Sequence, residues 1–391
     1  MPLPRLPGGV GRRVQLCRDR AANAFKFTSG VPRYPFTASA RHRAPQARFL
    51  RRARITIDGR RKSQRHIALC RNQRCESERV ITRFRQIPYV RESCMAHKPI
   101  VILEAPSILG LFPKGVETLP DALLTAGLAE QLGAQRAGRV EAPAYIPERD
   151  PETLLLNPRG LADYAVALAD AIGRLLNGAM LPVVLGGDCS IVLGCLLALR
   201  RRGRYGLLFL DGHADFYQPD AEPNGEAASI DLALATGRGP LAVTNIEERR
   251  PLVRDEDVVV LGRRDAVDAD EHGSQRVEDT GIELLDLATV RSLGVESAAA
   301  RAVECLTKPE LDGFWVHLDA DVLDDAIMPA VDYRMPDGLS WDELMAILRA
   351  CIATGQIVGI NVTILNPKLD KDGAIVCKFV GALVRGLVPE G

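Results

Sequence analysis

The sequence predicts an α/β protein with a parallel central sheet, and three observations carry that prediction. From Pro99 onward, apolar runs of strand length alternate with stretches of helical period. That alternation reads as strand–helix–strand units, whose strands are parallel and covered on both faces. Acids and a histidine recur just after strand-length runs, where sites form in such sheets. The charges are also partitioned. Residues 1–94 hold 23 Lys and Arg against 5 Asp and Glu, and residues 95–391 hold the remaining 27 and 45. One folded region, 95–391, is thereby set off from an Arg-rich segment, 1–94.

The elements follow in order. Pro99-Ile-Val-Ile-Leu103 reads as a first buried strand. Leu119 to Leu132 reads as one helix, with Pro120 and Asp121 near its start. Residues 137–158, rich in Pro and Glu, read as a loop. Gly160 to Met180 carries apolar residues at 161, 165, 168, 172, 175 and 176, a helical stripe. Leu181–Leu185 is a strand, Ser190–Arg200 an apolar helix, and Leu207–Leu210 the next strand. Strands are expected at Val258–Leu261 and Ile282–Leu285, a helix at Val295–Leu306 and a strand at Phe314–Leu318. Ser340 and Glu343 form a capping box that opens a helix from Trp341 to Thr354. Ile357–Leu365 is a strand and Ala374–Leu387 a closing helix. No repeat and no internal domain boundary interrupts this series.

Residues 1–94 carry too little apolar periodicity to build a core. Three readings apply: a basic arm for phosphate, an Arg-rich organellar transit peptide, or sequence upstream of a start at Met95. The break in composition at Met95 favours the third, which leaves no nucleic-acid role for the folded region. No apolar run is long enough to span a bilayer, and no signal-peptide core follows the first basic residues. Nine cysteines are scattered without a zinc-type pair, as in a reduced protein, and a cytoplasmic location is expected.

Three strand ends carry donors suited to metal. Gly186-Gly-Asp-Cys-Ser190 follows the Leu181–Leu185 strand, Asp211-Gly-His-Ala-Asp215 follows Leu207–Leu210, and Asp319-Ala-Asp-Val-Leu-Asp324 follows Phe314–Leu318. Along an extended backbone the side-chain period of two puts Asp211, His213 and Asp215 on one side, and likewise Asp319 and Asp321. Acids gathered at the ends of buried strands require compensation, for which a divalent cation is the usual agent.

In this order the three motifs resemble the signature of the ureohydrolases, the arginase, agmatinase and formiminoglutamase superfamily. The resemblance covers residues 96–391 and includes Gly262-Arg-Arg-Asp265 and Asn366-Pro367. It implies a three-layer α/β/α arginase-like fold, a homotrimer or homohexamer, and two Mn²⁺ ions. These activate water against the carbon of a small guanidino or amidino substrate. By position it makes Asp211 and Asp319 bridging ligands. Cys189 and Asp215 complete one metal, His213 and Asp321 the other, and Asp215 also moves the proton.

Four positions depart from the pattern. Cys189 stands where the family has His, and a thiolate favours Zn²⁺ or Fe²⁺ over Mn²⁺. Ile364 stands where a Glu holds the guanidinium. Glu226 and Ala228 replace an Asn and a His, so Glu226 is a candidate to supply the missing carboxylate, in both binding and catalysis. Asp325 replaces a Pro. Asp265 and Asp268 fall near the region that binds the substrate's amino group. The expected function is metal-dependent hydrolysis of a C–N bond in a guanidino or amidino compound. The alternative is a catalytically weak homologue, a metal- or ligand-binding assembly subunit.

Overall fold

The structure, a computed structural model, describes residues 98–388. The expectations for the Arg-rich segment and for Met95 lie outside the described residues. In chain order the elements are β1 Ile100–Ala105, α1 Leu119–Thr125, α2 Leu128–Leu132, β2 Gln135–Arg139, α3 Pro158–Asn177, β3 Leu181–Gly186, α4 Val192–Arg200 and β4 Gly206–Leu210. There follow α5 Asp231–Ala235, α6 Leu241–Thr244, β5 Val258–Leu261, α7 Ala266–Glu271, β6 Glu283–Leu285, α8 Leu287–Leu293, α9 Val295–Leu306, β7 Phe314–Asp319, α10 Trp341–Ala353, β8 Ile357–Thr363 and α11 Ala374–Leu387.

The strands form one eight-stranded sheet in the order β2-β1-β3-β8-β7-β4-β5-β6, parallel throughout. Alternate side chains feed two cores. Leu208, Leu210, Val316, Leu318 and Ile360 pack with α1, α2, α9, α10 and α11 on one face. Leu207, Phe209, Trp315 and Val358 pack with α3, α4 and α5 on the other. The result is the three-layer α/β/α arrangement of helices, sheet and helices expected for strands buried on both faces. The capping box also forms. Glu343 N–H donates to Ser340 Oγ at 3.3 Å, and Ser340 N–H donates to Glu343 Oε2 at 2.8 Å.

The structure differs from the sequence reading in several places. The single helix expected over 119–132 breaks at Gly127, whose φ of 85° is left-handed, and becomes α1 and α2. The expected loop from 137 begins inside an edge strand, β2, whose five residues are all exposed. β2 has no apolar face. It is held by its ladder to β1 and by two arginines: Arg136 Nη2 and Arg139 Nη2 reach the buried Glu104 at 2.5 and 2.7 Å. The short helices α5, α6 and α7 and helix α8 were not expected; Asp286 caps α8 by accepting from Thr289 N–H at 2.8 Å. No helix among the described residues is long and apolar enough to cross a membrane.

Candidate metal centre

The four central strands β3, β8, β7 and β4 end side by side, and their carboxyl ends deliver the donors. The loop after β3 is shaped by close approach. A Cβ on Gly186 would lie 2.2 Å from Ile191 Cδ1, and one on Gly187 would lie 1.7 Å from the Ser107 carbonyl oxygen. Glycine is therefore required at 187, against backbone, whereas at 186 the Ile191 side chain would have to give way. That buried acid accepts from Ser107 Oγ at 2.9 Å and from both the amide and the hydroxyl of Ser190, which fixes the turn bearing Cys189.

Cys189 is buried; its thiol donates to Asp319 Oδ2 at 2.8 Å and lies 3.2 Å from Thr363 Oγ1. Burial, then Asp319, pushes the thiol well above its usual range. The loop after β4 carries Asp211, His213 and Asp215. His213 Nδ1 lies 2.9 Å from Asp321 Oδ2 and 3.6 Å from Asp211 Oδ1. Asp211 Oδ1 accepts from the His213 amide at 2.7 Å, and Asp319 Oδ1 accepts from the Asp321 amide at 2.7 Å. Asp215 has a φ of 45°, a left-handed conformation uncommon outside glycine and concentrated at functional sites.

The electrostatics are those of a site built for cations. Burial, followed by a neighbouring acid, holds Asp215, Asp231 and Asp319 well above the usual carboxylate range. Burial also raises Asp321, against the pull of His213. Asp211 is the exception: His213 and His317 outweigh its burial and hold it below the usual range. The donors converge in three overlapping groups: Cys189, Asp211, His317 and Asp319; Cys189, Asp215 and Asp231; and Asp211, His213 and Asp321. Within each group the ligand atoms lie within 4.8 Å of one another. Among the described residues, Asp211 Oδ2, both oxygens of Asp231 and His317 Nε2 are buried without a hydrogen-bond partner. A hard oxygen-rich set with orphaned carboxylate oxygens fits divalent cations.

All six expected ligands, Cys189, Asp211, His213, Asp215, Asp319 and Asp321, therefore meet at one place. Two residues of the centre were not singled out from sequence, Asp231 and His317. Both stand as lone polar residues inside apolar runs, Ile230–Ala235 and Phe314–Leu318, and that is the signal that marks them. The orientation of His317 follows from a relay. Trp315 Nε1 donates to Asn361 Oδ1 at 2.8 Å, which turns Asn361 Nδ2 toward His317 Nδ1 at 2.7 Å. The remaining proton then sits on Nε2, 3.8 Å from Asp211 Oδ2. Phe209 stacks on the imidazole with centroids 4.5 Å apart.

Above the donors opens a cavity of about 290 Å³. Cys189, His213, Asp215, Asp319 and Asp321 contribute to its lining; Leu111, Ala228 and Ile364 give it apolar surface. Among the described residues its lining includes Glu222, Glu226, Asp265 and Asp268, and neither lysine nor arginine. Glu226 is 1% exposed and accepts from Tyr333 Oη at 2.6 Å and from Phe112 N–H at 3.3 Å. Asp265 is already committed: its Oδ1 receives Arg263 Nε at 2.6 Å and its Oδ2 the Ala214 amide at 3.3 Å. Asp268 is exposed on α7. Ile364 lies at φ 70°, a strained conformation for a β-branched side chain. Asp325 pairs with Arg334 at 3.1 Å.

Comparison with known proteins agrees with this geometry. A family model described as "Arginase family" matches residues 98–387. The arginase of Staphylococcus aureus (strain COL) is 27% identical over 283 residues, covering 70% of this chain and 92% of its own. The arginase of Bacillus caldovelox is 29% identical over 297 residues, 73% of this chain and 98% of its own. The solved Bacillus caldovelox arginase superposes with a TM-score of 0.67 at 25% identity, covering 75% of this chain and 99% of that one. A proclavaminate amidino hydrolase from Streptomyces clavuligerus, at 19% identity and a TM-score of 0.53, shares the fold.

Proposed function

The chain belongs to the arginase family, and from that premise we propose that it is a two-metal hydrolase of a C–N bond in a small cationic guanidino or amidino compound. The observation that carries the reading is the convergence of Asp211, His213, Asp215, Asp319 and Asp321 beneath a cavity walled by carboxylates and free of lysine and arginine.

Asp211 and Asp319 would help to hold both ions, with Cys189 and Asp215 serving one and His213 and Asp321 the other. Mn²⁺ is the expected metal, with Zn²⁺ or Fe²⁺ admitted by Cys189. When bound, the ions supply Lewis acidity and lower the pKa of a water toward neutrality. The chain's own residues do the rest. Asp215, at the floor of the cavity, accepts a proton from the attacking water and delivers it to the leaving amine as the C–O bond forms and the C–N bond breaks. Glu226 holds the substrate cation in place of the glutamate that Ile364 displaces, with Tyr333 fixing its orientation. Asp268, exposed on α7, is the freer acid for a substrate amino group; Arg263 already matches the charge of Asp265. The five described cysteines are unpaired, which suits a reducing cytoplasm.

The second reading, a metal- or ligand-binding assembly subunit without strong catalysis, is favoured by Ile364 at the cavity wall. One experiment separates the two. The purified chain is loaded with Mn²⁺, its metal content measured, and urea or ammonia release screened over arginine, hydroxyarginine, agmatine, guanidinobutyrate and formiminoglutamate. Turnover of any of these supports the hydrolase. Metal uptake without turnover supports the assembly subunit, and no metal uptake rejects the hydrolase and leaves only a ligand-binding subunit.

A further inference from the structure

Asp231 opens α5 and is fully buried within the apolar run Ile230–Ala235. Its own amide and that of Leu232 face the carboxylate, yet neither oxygen meets a donor at hydrogen-bond geometry. An uncompensated buried carboxylate is among the least favourable groups a fold can carry. Its ligating neighbours are no help: they are an oxygen of Asp215 and the sulfur of Cys189, and all three ligand atoms lie within 4.8 Å of one another.

That spacing has a reading. Two donors on one divalent ion, with bonds of about 2.1 Å to oxygen or 2.3 Å to sulfur, sit roughly 3 to 4.4 Å apart. The three groups reach one ion with a closure of a few tenths of an ångström, on the order of ordinary side-chain adjustment. Cys189 has partners without an ion, since its thiol donates to Asp319 Oδ2 and lies against Thr363 Oγ1. Asp231 has none. Of Cys189 and Asp231, the carboxylate is the one left without a partner, and a cation would supply it.

We propose that Asp231 is a metal ligand, the carboxylate that completes the ion on the Cys189 and Asp215 side. The proposal rests on the two-metal reading above. It makes that side oxygen-dominated, so Mn²⁺ is held there by Asp231 more than by the thiol, and the softer preference of Cys189 is overridden.

The test uses the full chain, stripped with a chelator and titrated with Mn²⁺ alone. Native protein, Asp231→Asn, Asp231→Ser and Cys189→Ser are compared by bound metal per chain, by the melting shift that Mn²⁺ produces, and by the electron-spin signal of an exchange-coupled Mn²⁺ pair. The native chain should bind two ions. Both Asp231 variants should bind the second ion at least about tenfold more weakly and lose the coupled-pair signal. Cys189→Ser should retain both ions. Metal-free Asp231→Asn should melt no lower than the metal-free native chain, because it sheds an orphaned charge; this keeps the variant informative about folding. Native uptake and coupling in both Asp231 variants would overturn the proposal and leave the two-metal reading standing. A native chain that binds no metal would remove that reading itself.

Discussion

Replacing Glu226 by Gln tests what holds the substrate's charge. Glu226 Oε2 accepts from Tyr333 Oη at 2.6 Å and Oε1 from Phe112 N–H at 3.3 Å. The amide offers one oxygen where the carboxylate offers two, so it keeps one of these donors and loses its charge. Loss of one charge-assisted hydrogen bond to a cation in a buried wall removes about 1.5–3 kcal/mol. At about 1.36 kcal/mol per factor of ten, kcat/KM falls roughly 10- to 150-fold. If Glu226 holds the cation equally in ground and transition states, the loss appears in KM with kcat near native. A fall in kcat would add a proton-handling role. The folded state loses about 1 kcal/mol through the unmatched donor, a melting shift of about 2–4 °C. The assay is steady-state ammonia or urea release with the fastest substrate of the screen, at saturating Mn²⁺. A kcat/KM within about twofold of native, in a variant that folds, would refute the assignment of Glu226 to the cation.

Two further outcomes concern the fold around the metals. Gly187→Ala drives a methyl group to 1.7 Å from the Ser107 carbonyl oxygen, and backbone on both sides must move. We expect a loss of about 1–3 kcal/mol or more in chemical denaturation, with weakened Mn²⁺ uptake; a native-like midpoint would show that the loop yields freely. The metal-free chain should lose stability as pH rises. Burial and neighbouring acids raise Asp215, Asp231 and Asp319 above their unfolded value of 3.8, so the folded state binds more protons. Their contribution is complete below that value and is lost as pH climbs through the folded values. His213, lowered by burial but raised further by Asp321 and Asp211, acts in the same sense. The depressed acids Asp150, Asp211, Glu247, Glu278 and Glu343 act oppositely, but are ionised in both states above about pH 6. Melting temperatures from pH 6 to 8 should therefore fall without metal and fall less with saturating Mn²⁺. A metal-free chain that grows more stable over that range contradicts the argument.

Much of this was legible in the sequence because burial on both faces leaves a plain mark. Leu181–Leu185 and Leu207–Leu210 are continuous apolar runs, and their ends announce the metal loops. β2 was illegible for the converse reason. Gln135-Arg-Ala-Gly-Arg139 has no apolar face, and its attachment depends on Glu104, thirty-odd residues away on another strand. The break at Gly127 was overlooked because the apolar period runs through it. At the site, residues inside motifs were found and residues outside them were not. Asp231 and His317 belong to no spacing pattern. Their meaning comes from partners that only the fold brings near, or, for the Asp231 oxygens, from having none.

The sheet order sets when this centre can exist. β2-β1-β3 and β7-β4-β5-β6 are two separate half-sheets, and β8 alone, lying between β3 and β7, zips them together. Cys189 belongs to one half; Asp211, His213, Asp215, Asp319 and Asp321 belong to the other. During synthesis the strands of both halves are made before Ile357, so in a growing chain the sheet joins Cys189 to the acids only when its last strand emerges. Completion of the centre is then a late event, and a chain truncated before β8 would keep every expected ligand in its sequence without the strand that brings Cys189 to the acids.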